Sequence, residues 1–438
     1  MPRPLPGPVG RMPENAIARW AEDLPFGIFL VTVVVSLFRA RDLPSVELGV
    51  AGTGVAVGPV DALLLATAVL ALVRLRRAGR VPSPVLLAAA FGLAALVAVS
   101  ALPNGSDALV AAGKLVEFAA LTLGAAAFLE TRERLQSLIV VVVGFATVAV
   151  GWGFIGFLTS DRGRQGSFMG EHDMAALATL AAAVGLARVH SRRGNPGLLA
   201  VVALAAGVVG TVLGASLASL IGIYLASIVI LAISLRRGDL RAAAALVTIA
   251  VAGVSTAGTL ALRQGELGFL QEWFGTPSDV PGANAASWSQ RLIYAYIGGR
   301  VFLDNPVLGT GWHGLLPPEE FAQYVPDARE RFPDQPPPYF PPTDEGFIPQ
   351  QTYDQMLFEL GLVGAAVFLV VLGLAGWRAA VAARRRSPDP AYVPAAWLAV
   401  ILGALAGAAL FGGSPLTGMF WLALGVVAAV SAPKPEPA

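Results

Sequence analysis

The chain has 438 residues, of which 55% are hydrophobic and 13% charged, about half the charged fraction of an ordinary soluble domain. That balance excludes a soluble globular protein and implies a polytopic membrane protein. The lack of cysteine excludes disulfides and thiolate metal sites, and a net charge of +1 gives no electrostatic footprint for nucleic acid.

Residues 1–23 mix Arg3, Arg11 and Arg19 with Glu14, Glu22, Asp23 and several prolines. This is a poor secretory signal and reads as a cytosolic tail. A membrane-crossing helix needs about 20 apolar residues, because the hydrocarbon core is about 30 Å thick and each residue rises about 1.5 Å. Twelve stretches meet that rule: 24–40, 58–75, 83–102, 107–129, 135–158, 172–189, 197–214, 216–235, 240–262, 352–377, 391–411 and 414–431. Every second connecting loop is basic: Arg74 to Arg80, Arg132 with Arg134, Arg188 to Arg193, Arg236 to Arg241, and Arg378 to Arg386. Cytosolic loops are the arginine-rich ones, so both termini are expected in the cytosol, in a multi-pass protein of the cytoplasmic (inner) membrane.

The expected fold class is all-α, with about twelve transmembrane helices and one large extracytoplasmic loop between helices 9 and 10. The expected layout is helices 1–9 over 24–262, the loop over 263–349, helices 10–12 over 350–432 and a cytosolic tail, 433–438. The loop sets eleven carboxylates against five arginines. Within it, Trp288, Leu292, Tyr296 and Ile297 recur at helical spacing, which predicts an amphipathic helix near 287–304, stopped by Pro306. The Pro-rich continuation to Phe347 reads as irregular.

Arg164 and Arg291 both fall on the expected outer side. A guanidinium fork binds phosphate oxygens bidentately and stays charged; the plainer reading is pairing with a carboxylate or lipid headgroup. Arg300 is four residues before Asp304 and reads as structural. Lys114 and Glu117 share a helix face inside an apolar run, as a packing ion pair or a functional one. His190, among arginines, reads as solvated. His172 opens a helix beside Glu171 and Asp173, and His313 follows the turn Gly309-Thr310-Gly311-Trp312. No two histidines have metal-ligand spacing on one helix, so neither a metal site nor a cofactor is expected.

Three segments carry a family resemblance: RGRQGSFMGEHDMAALA from Arg162, ASWSQRLIYAYIGGRVFLDNPVLGTGWHGL from Ala286, and QQTYDQMLFELGLVGAAVFL from Gln350. In that order they resemble the signatures of the O-antigen ligase and polysaccharide polymerase superfamily. The resemblance implies an inverting, metal-independent membrane glycosyltransferase. It would take a glycan from an undecaprenyl diphosphate donor and pass it to a glycan or lipid acceptor hydroxyl on the outer face, with membrane lipids and no nucleic acid as its other surroundings. Arg164 and Arg291 match the family's arginines, and Arg162, Gln350 and Tyr353 fall beside them in the motifs as further substrate-binding candidates. Gln350 stands where ligases of the family have a histidine, and Ser216-Leu217-Ala218-Ser219 lacks the family's arginine. An amide cannot act as a general base near neutral pH, so the proton acceptor is sought among Glu345, Asp344, His172 and His313. A flippase of lipid-linked sugars, or a non-catalytic scaffold binding a glycan or lipid carrier, are the alternatives.

Overall fold

The computed structural model describes residues 14–38, 44–50, 53–160, 164–191, 197–263, 285–314, 316–346, 352–384 and 418–431. In chain order these form α1 (Glu14–Ser36), the strands β1 (Val46–Val50) and β2 (Thr53–Val57), α2 (Pro59–Ala78), α3 (Pro84–Ser100), α4 (Gly105–Glu117), α5 (Ala119–Phe128), α6 (Arg132–Thr159), α7 (Glu171–Ser191), α8 (Leu198–Gly214), α9 (Leu217–Arg236), α10 (Ala242–Leu262), α11 (Ala285–Asp304), the short α12 (Pro318–Phe321), α13 (Val325–Arg331), α14 (Thr352–Arg384) and α15 (Gly418–Ser431). Among the described residues, six stretches are long and apolar enough to cross a membrane: Pro84–Phe128, Arg132–Thr159, Glu171–Ser191, Leu217–Arg236, Ala242–Leu262 and Gln355–Ala383. The expected span 391–411 lies outside the described residues. Two features correct the all-α expectation of unbroken spans: β1 and β2 pair as an antiparallel hairpin, and the fourth expected span divides at Phe118 into α4 and α5.

Inside a bilayer, burying apolar surface gives little drive for helix association, so close packing of small residues and hydrogen bonds hold helices together. α7 sits at the centre, buried at every residue from Met174 to His190. Four glycines let it meet its neighbour α8 along its length. A Cβ at Gly185 would reach Leu204 at 2.7 Å, and Cβ atoms at Gly207, Gly210 and Gly214 would reach Ala182, Ala178 and Ala175 at 2.5–2.7 Å. Where α1, α2 and α5 cross, Gly124 leaves room for Phe29 and Thr67, and the Thr32 and Thr67 hydroxyls share a 2.7 Å hydrogen bond. At one end of α7, His190 is buried and held between Ser234 and Thr248, 2.9 Å on each side; this corrects the expectation that it is solvated.

α14 is not one helix. Gly361 adopts φ 60° and ψ −161°, which breaks it in two. A break strands backbone donors and acceptors that lipid cannot satisfy. The segment 306–311 satisfies them: Leu362 N and Val363 N donate to Pro306 O (2.9 Å) and Val307 O (3.1 Å), and Thr310 N and Gly311 N donate to Phe358 O (3.0 Å) and Glu359 O (2.8 Å). Only glycine fits the contact, since a Cβ at Gly309 would lie 2.5 Å from the Glu359 carbonyl carbon and one at Gly361 2.5 Å from Gly309 N. On the other side of this segment, Asn104 Nδ2 donates to Thr310 O at 3.1 Å, and Ser100 Oγ accepts from Trp312 N at 3.3 Å.

Residues 285–346 build a cap with its own core of Ile293, Ile297, Val301, Leu316, Phe321, Val325, Ala328 and Phe340, closed by Phe358 of α14. The Pro-rich stretch is thus packed: it forms short helical turns up to Arg331 and is irregular, apart from one turn at Pro337–Tyr339, from there to Gly346. α11 buries the Ile293–Ile297–Val301 stripe, with Tyr296 packed beside it, so Ile297 and Tyr296 face the core as read from the sequence, while Leu292 is exposed. Gly298 lets α11 seat on Phe358, whose ring would overlap any Cβ there. Arg300 is structural as expected, but its carboxylate partner is Asp327 at 3.2 Å, while Asp304 accepts from the Tyr324 hydroxyl.

Gly309→Ala and Gly361→Ala should each cost about 2 kcal/mol or more, because a left-handed alanine and a backbone overlap add. Gly299→Ala, in open space on α11, should be neutral or slightly stabilising. Thermal unfolding midpoints of detergent-solubilised protein, followed by tryptophan fluorescence, check this contrast.

Candidate functional site

The segment from Arg164 to Gly170 leads into α7 through a tight turn, with Gly170 N donating to Ser167 O at 2.9 Å. Phe168 anchors it by stacking on Phe38 at 5.4 Å and meeting Phe145 edge-on at 5.8 Å. Gln165 N ties it to Leu213 O at the end of α8, 2.9 Å away. Two glycines allow this closeness. A Cβ at Gly166 would lie 2.6 Å from Glu171 N, and one at Gly214 2.8 Å from Glu171 O.

The turn places Arg164 against the start of α7, where its Nη2 meets Glu171 Oε1 at 3.0 Å. The same carboxylate oxygen lies 3.5 Å from His172 Nε2. Two more cations arrive from distant sequence. The charges of Arg164, Arg291 and Arg263 all act on the His172 ring, so α7, the first turns of α11 and the end of α10 converge here. Arg263 is steadied by donating to Ala215 O at 3.2 Å, and Ala215 caps α8 in the left-handed conformation, φ 45°. Three guanidinium charges acting at a helix N-terminus make an arrangement chemically suited to an anion. The His172 side chain is 53% exposed, which leaves the cluster open to a ligand.

A second polar network lies where the cap meets the broken helix. Glu359, fully buried, accepts from His313 N (2.9 Å), Gly314 N (3.2 Å) and Gln355 Nε2 (3.0 Å). These bonds fix the loop that carries His313. Its Nδ1 faces Gly311 O at 2.9 Å, which favours a proton there, and its Nε2 faces Glu320 Oε1 at 3.2 Å. Glu320 Oε2 is buried and has no hydrogen-bond partner among the described residues. Burial pushes the Glu320 carboxyl up from the usual glutamate range, with the His313 charge and the Thr310 hydroxyl pulling the other way. Nearby Tyr324 is pushed up to about 12 by burial and by Asp304, so it stays a neutral phenol at physiological pH.

Arg164, Arg291 and His172, singled out in the sequence, thus stand in one cluster, and His313 stands in the other. Asp344 and Glu345 are exposed and belong to neither hydrogen-bond network. Arg162 and Gln350 lie outside the described residues; Tyr353 is in the first turn of α14. Sequence reading noted Glu171 only as a neighbour of His172 at a helix start and gave no site role to Arg263, Glu320 or Glu359. Of these three, only Glu359 gave a signal, as a carboxylate inside an apolar run. The Lys114–Glu117 pair exists at 4.0 Å, but the closer partner of Lys114 is Asp61, at 2.6 Å.

No curated protein matches the chain. Residues 199–369 match the family model of O-antigen ligase. The match starts in α8 and ends beyond the break in α14, so it takes in Arg263, Arg291, the glycine loop, His313, Glu320 and Glu359, whereas Arg164 and His172 precede it. Over that stretch, which carries the Gly309–Gly361 contact and the network of His313, Glu320 and Glu359 but only Arg263 and Arg291 of the arginine cluster, the chain is O-antigen ligase-like.

Proposed function

We propose that the protein transfers or polymerises glycan from an undecaprenyl diphosphate-linked donor onto an acceptor hydroxyl, on the outer face of the cytoplasmic membrane and without a metal. The family match supports membrane glycan ligation or polymerisation in general. The convergence of Arg164, Arg263 and Arg291 at the α7 N-terminus carries the finer reading, since a diphosphate needs several fixed cations. Bidentate guanidinium contacts would displace Glu171 from Arg164 and hold the donor at its leaving group.

In this reading the acceptor oxygen attacks the anomeric carbon, the bond from that carbon to the diphosphate oxygen breaks, and the diphosphate leaves with the electron pair. The configuration inverts because attack and departure occur on opposite faces of the sugar. His172, embedded among the arginines, falls on the leaving-group side and serves as a diphosphate contact. The acceptor's proton goes to Glu320, whose buried Oε2 has no hydrogen-bond partner among the described residues and whose Oε1 faces His313 Nε2 at 3.2 Å; Glu359 holds the His313 loop. Asp344 and Glu345, both exposed, have no part in this reading. Charge stabilisation by the arginines supplies most of the acceleration, so a modest base is enough.

The break in α14 is the one observation that favours a lipid-linked sugar transporter, because such proteins bind substrate at discontinuous helices. Here the backbone groups freed by the break that are described above are bonded to 306–311, which leaves them unavailable to a substrate.

In proteoliposomes with an undecaprenyl diphosphate glycan donor, transfer should persist in EDTA. Arg164→Ala or Arg291→Ala should lower it about a hundredfold or more. Donor crossing between leaflets without transfer would establish the transporter, and donor binding without turnover over a panel of acceptors would establish the scaffold.

Glu320→Gln should abolish transfer while donor binding is kept, whereas Asp344→Asn and Glu345→Gln should leave the rate within about twofold, as surface changes usually do. The active form of Glu320 is the ionised one, and burial raises its pKa. Transfer should therefore be full above that raised pKa and fall as pH drops through it, at a pH above the ordinary value of about 4.3. The single-turnover pH profile reads this limb directly.

A further inference from the structure

The hairpin of β1 and β2 has one apolar face. The register pairs Val46 with Val57 and Leu48 with Val55. Because side chains alternate along a strand, these four residues share one side, and Glu47 with Ala56 and Gly49 with Gly54 share the other. Val55 and Val57 are half-buried, and β2 packs against α4. The β1 half of the same face is left open, with Val46 67% and Leu48 48% exposed. An isolated two-stranded hairpin is at best marginal in water, so this open half calls for a covering.

The place of the hairpin in the fold says what covers it. It joins α2 with no linker, for Gly58 caps that helix and its N–H donates to Asp61 Oδ2 at 2.6 Å. The hairpin therefore stays at the edge of the bundle, at the end of α2 remote from Arg74, which pairs with Glu130 at 2.8 Å. It is also the end at which α3 turns through Asn104 to meet the His313 loop. Asp61 and Lys114, paired at 2.6 Å, mark a level where ionic groups are tolerated, as at a membrane boundary. Below it, α2 turns Leu65, Val69 and Leu72 outward, 68%, 51% and 56% exposed, a stripe at helical spacing that faces acyl chains. The hairpin leads straight into this helix through Gly58, so its open apolar face and the exposed stripe of α2 belong to one stretch of chain. Glu47 is on the opposite side, where it suits water.

We propose that the β1–β2 hairpin docks on the bilayer itself, with Val46 and Leu48 set into the interfacial layer of the leaflet on the arginine-cluster side and Glu47 turned to water. It anchors the α1–α2 connection at that surface and is independent of the glycan chemistry. The occupant is phospholipid, not a second copy of the chain.

The chain has no cysteine, so single-cysteine variants are free of background. Leu48→Cys, Val46→Cys and Glu47→Cys of the full chain, spin-labelled in phosphatidylcholine and phosphatidylglycerol nanodiscs, separate the outcomes. Positions 46 and 48 should collide severalfold more with oxygen, which partitions into acyl chains, than with a water-soluble nickel chelate, and position 47 the reverse. Nickel access at 46 and 48 equal to that at 47 would overturn the proposal. So would shielding of 46 and 48 from both reagents, which indicates a protein covering. Use of two reporters on the apolar face keeps the result readable if one variant fails to fold, and elution as wild type in size exclusion checks each.

Discussion

A helix broken inside a membrane must hand its freed backbone groups to something other than water, and the structure is arranged around meeting that demand at Gly361. The carbonyls of Phe358 and Glu359 and the amides of Leu362 and Val363 are all taken by one loop. The contact is backbone against backbone, which is why Gly309 and Gly361 face each other and why neither tolerates a Cβ. Two motifs far apart in sequence, Asn-Pro-x-x-Gly-x-Gly and Glu-x-Gly-Leu-x-Gly, are therefore the two halves of a single object. Glu359 completes it by binding the amides of His313 and Gly314, so the cap cannot turn relative to the helix without exposing a buried carboxylate.

The two polar clusters draw on both parts of the fold. Arg164, in the turn before α7, and Arg263, at the end of α10, come from the bundle, where close glycine packing sets the backbone, whereas Arg291 comes from α11 of the cap. His313 and Glu320 come from the cap, which carries its own hydrophobic core, and Glu359 comes from α14. Each cluster therefore draws on bundle and cap together, so the seating of the cap on the helices bears on both.

Most of the helices were legible, because an apolar run of membrane length has few alternatives. What escaped notice did so for physical reasons. Val46–Val57 is too short and too rich in glycine to read as a hairpin between two spans. Gly361 lies in an apolar run that looks helical until the partner loop is seen. His190 looked solvated because its sequence neighbours are charged, yet Ser234 and Thr248 are brought to it by two other helices. Asp61 and Lys114 are 53 residues apart, and no local spacing reports such a pair. Arg263 had no motif at all; only the turn of the chain at the end of α10 brings its charge to bear on His172.

α7 has a further consequence. Its 21 residues span about 30 Å at 1.5 Å per residue, the thickness of a hydrocarbon core. It is packed on every side and pinned at one end by His190, with Glu171 and His172 at the other. Such a post works as a depth gauge: it sets the height of its own N-terminal end, with His172 and the Arg164 turn, by the bilayer. In the proposed reaction the donor diphosphate would be held at a height fixed by its own hydrocarbon tail. Bilayer thickness would then be a determinant of donor capture, since lipids that are too long or too short would carry the phosphates past the arginines.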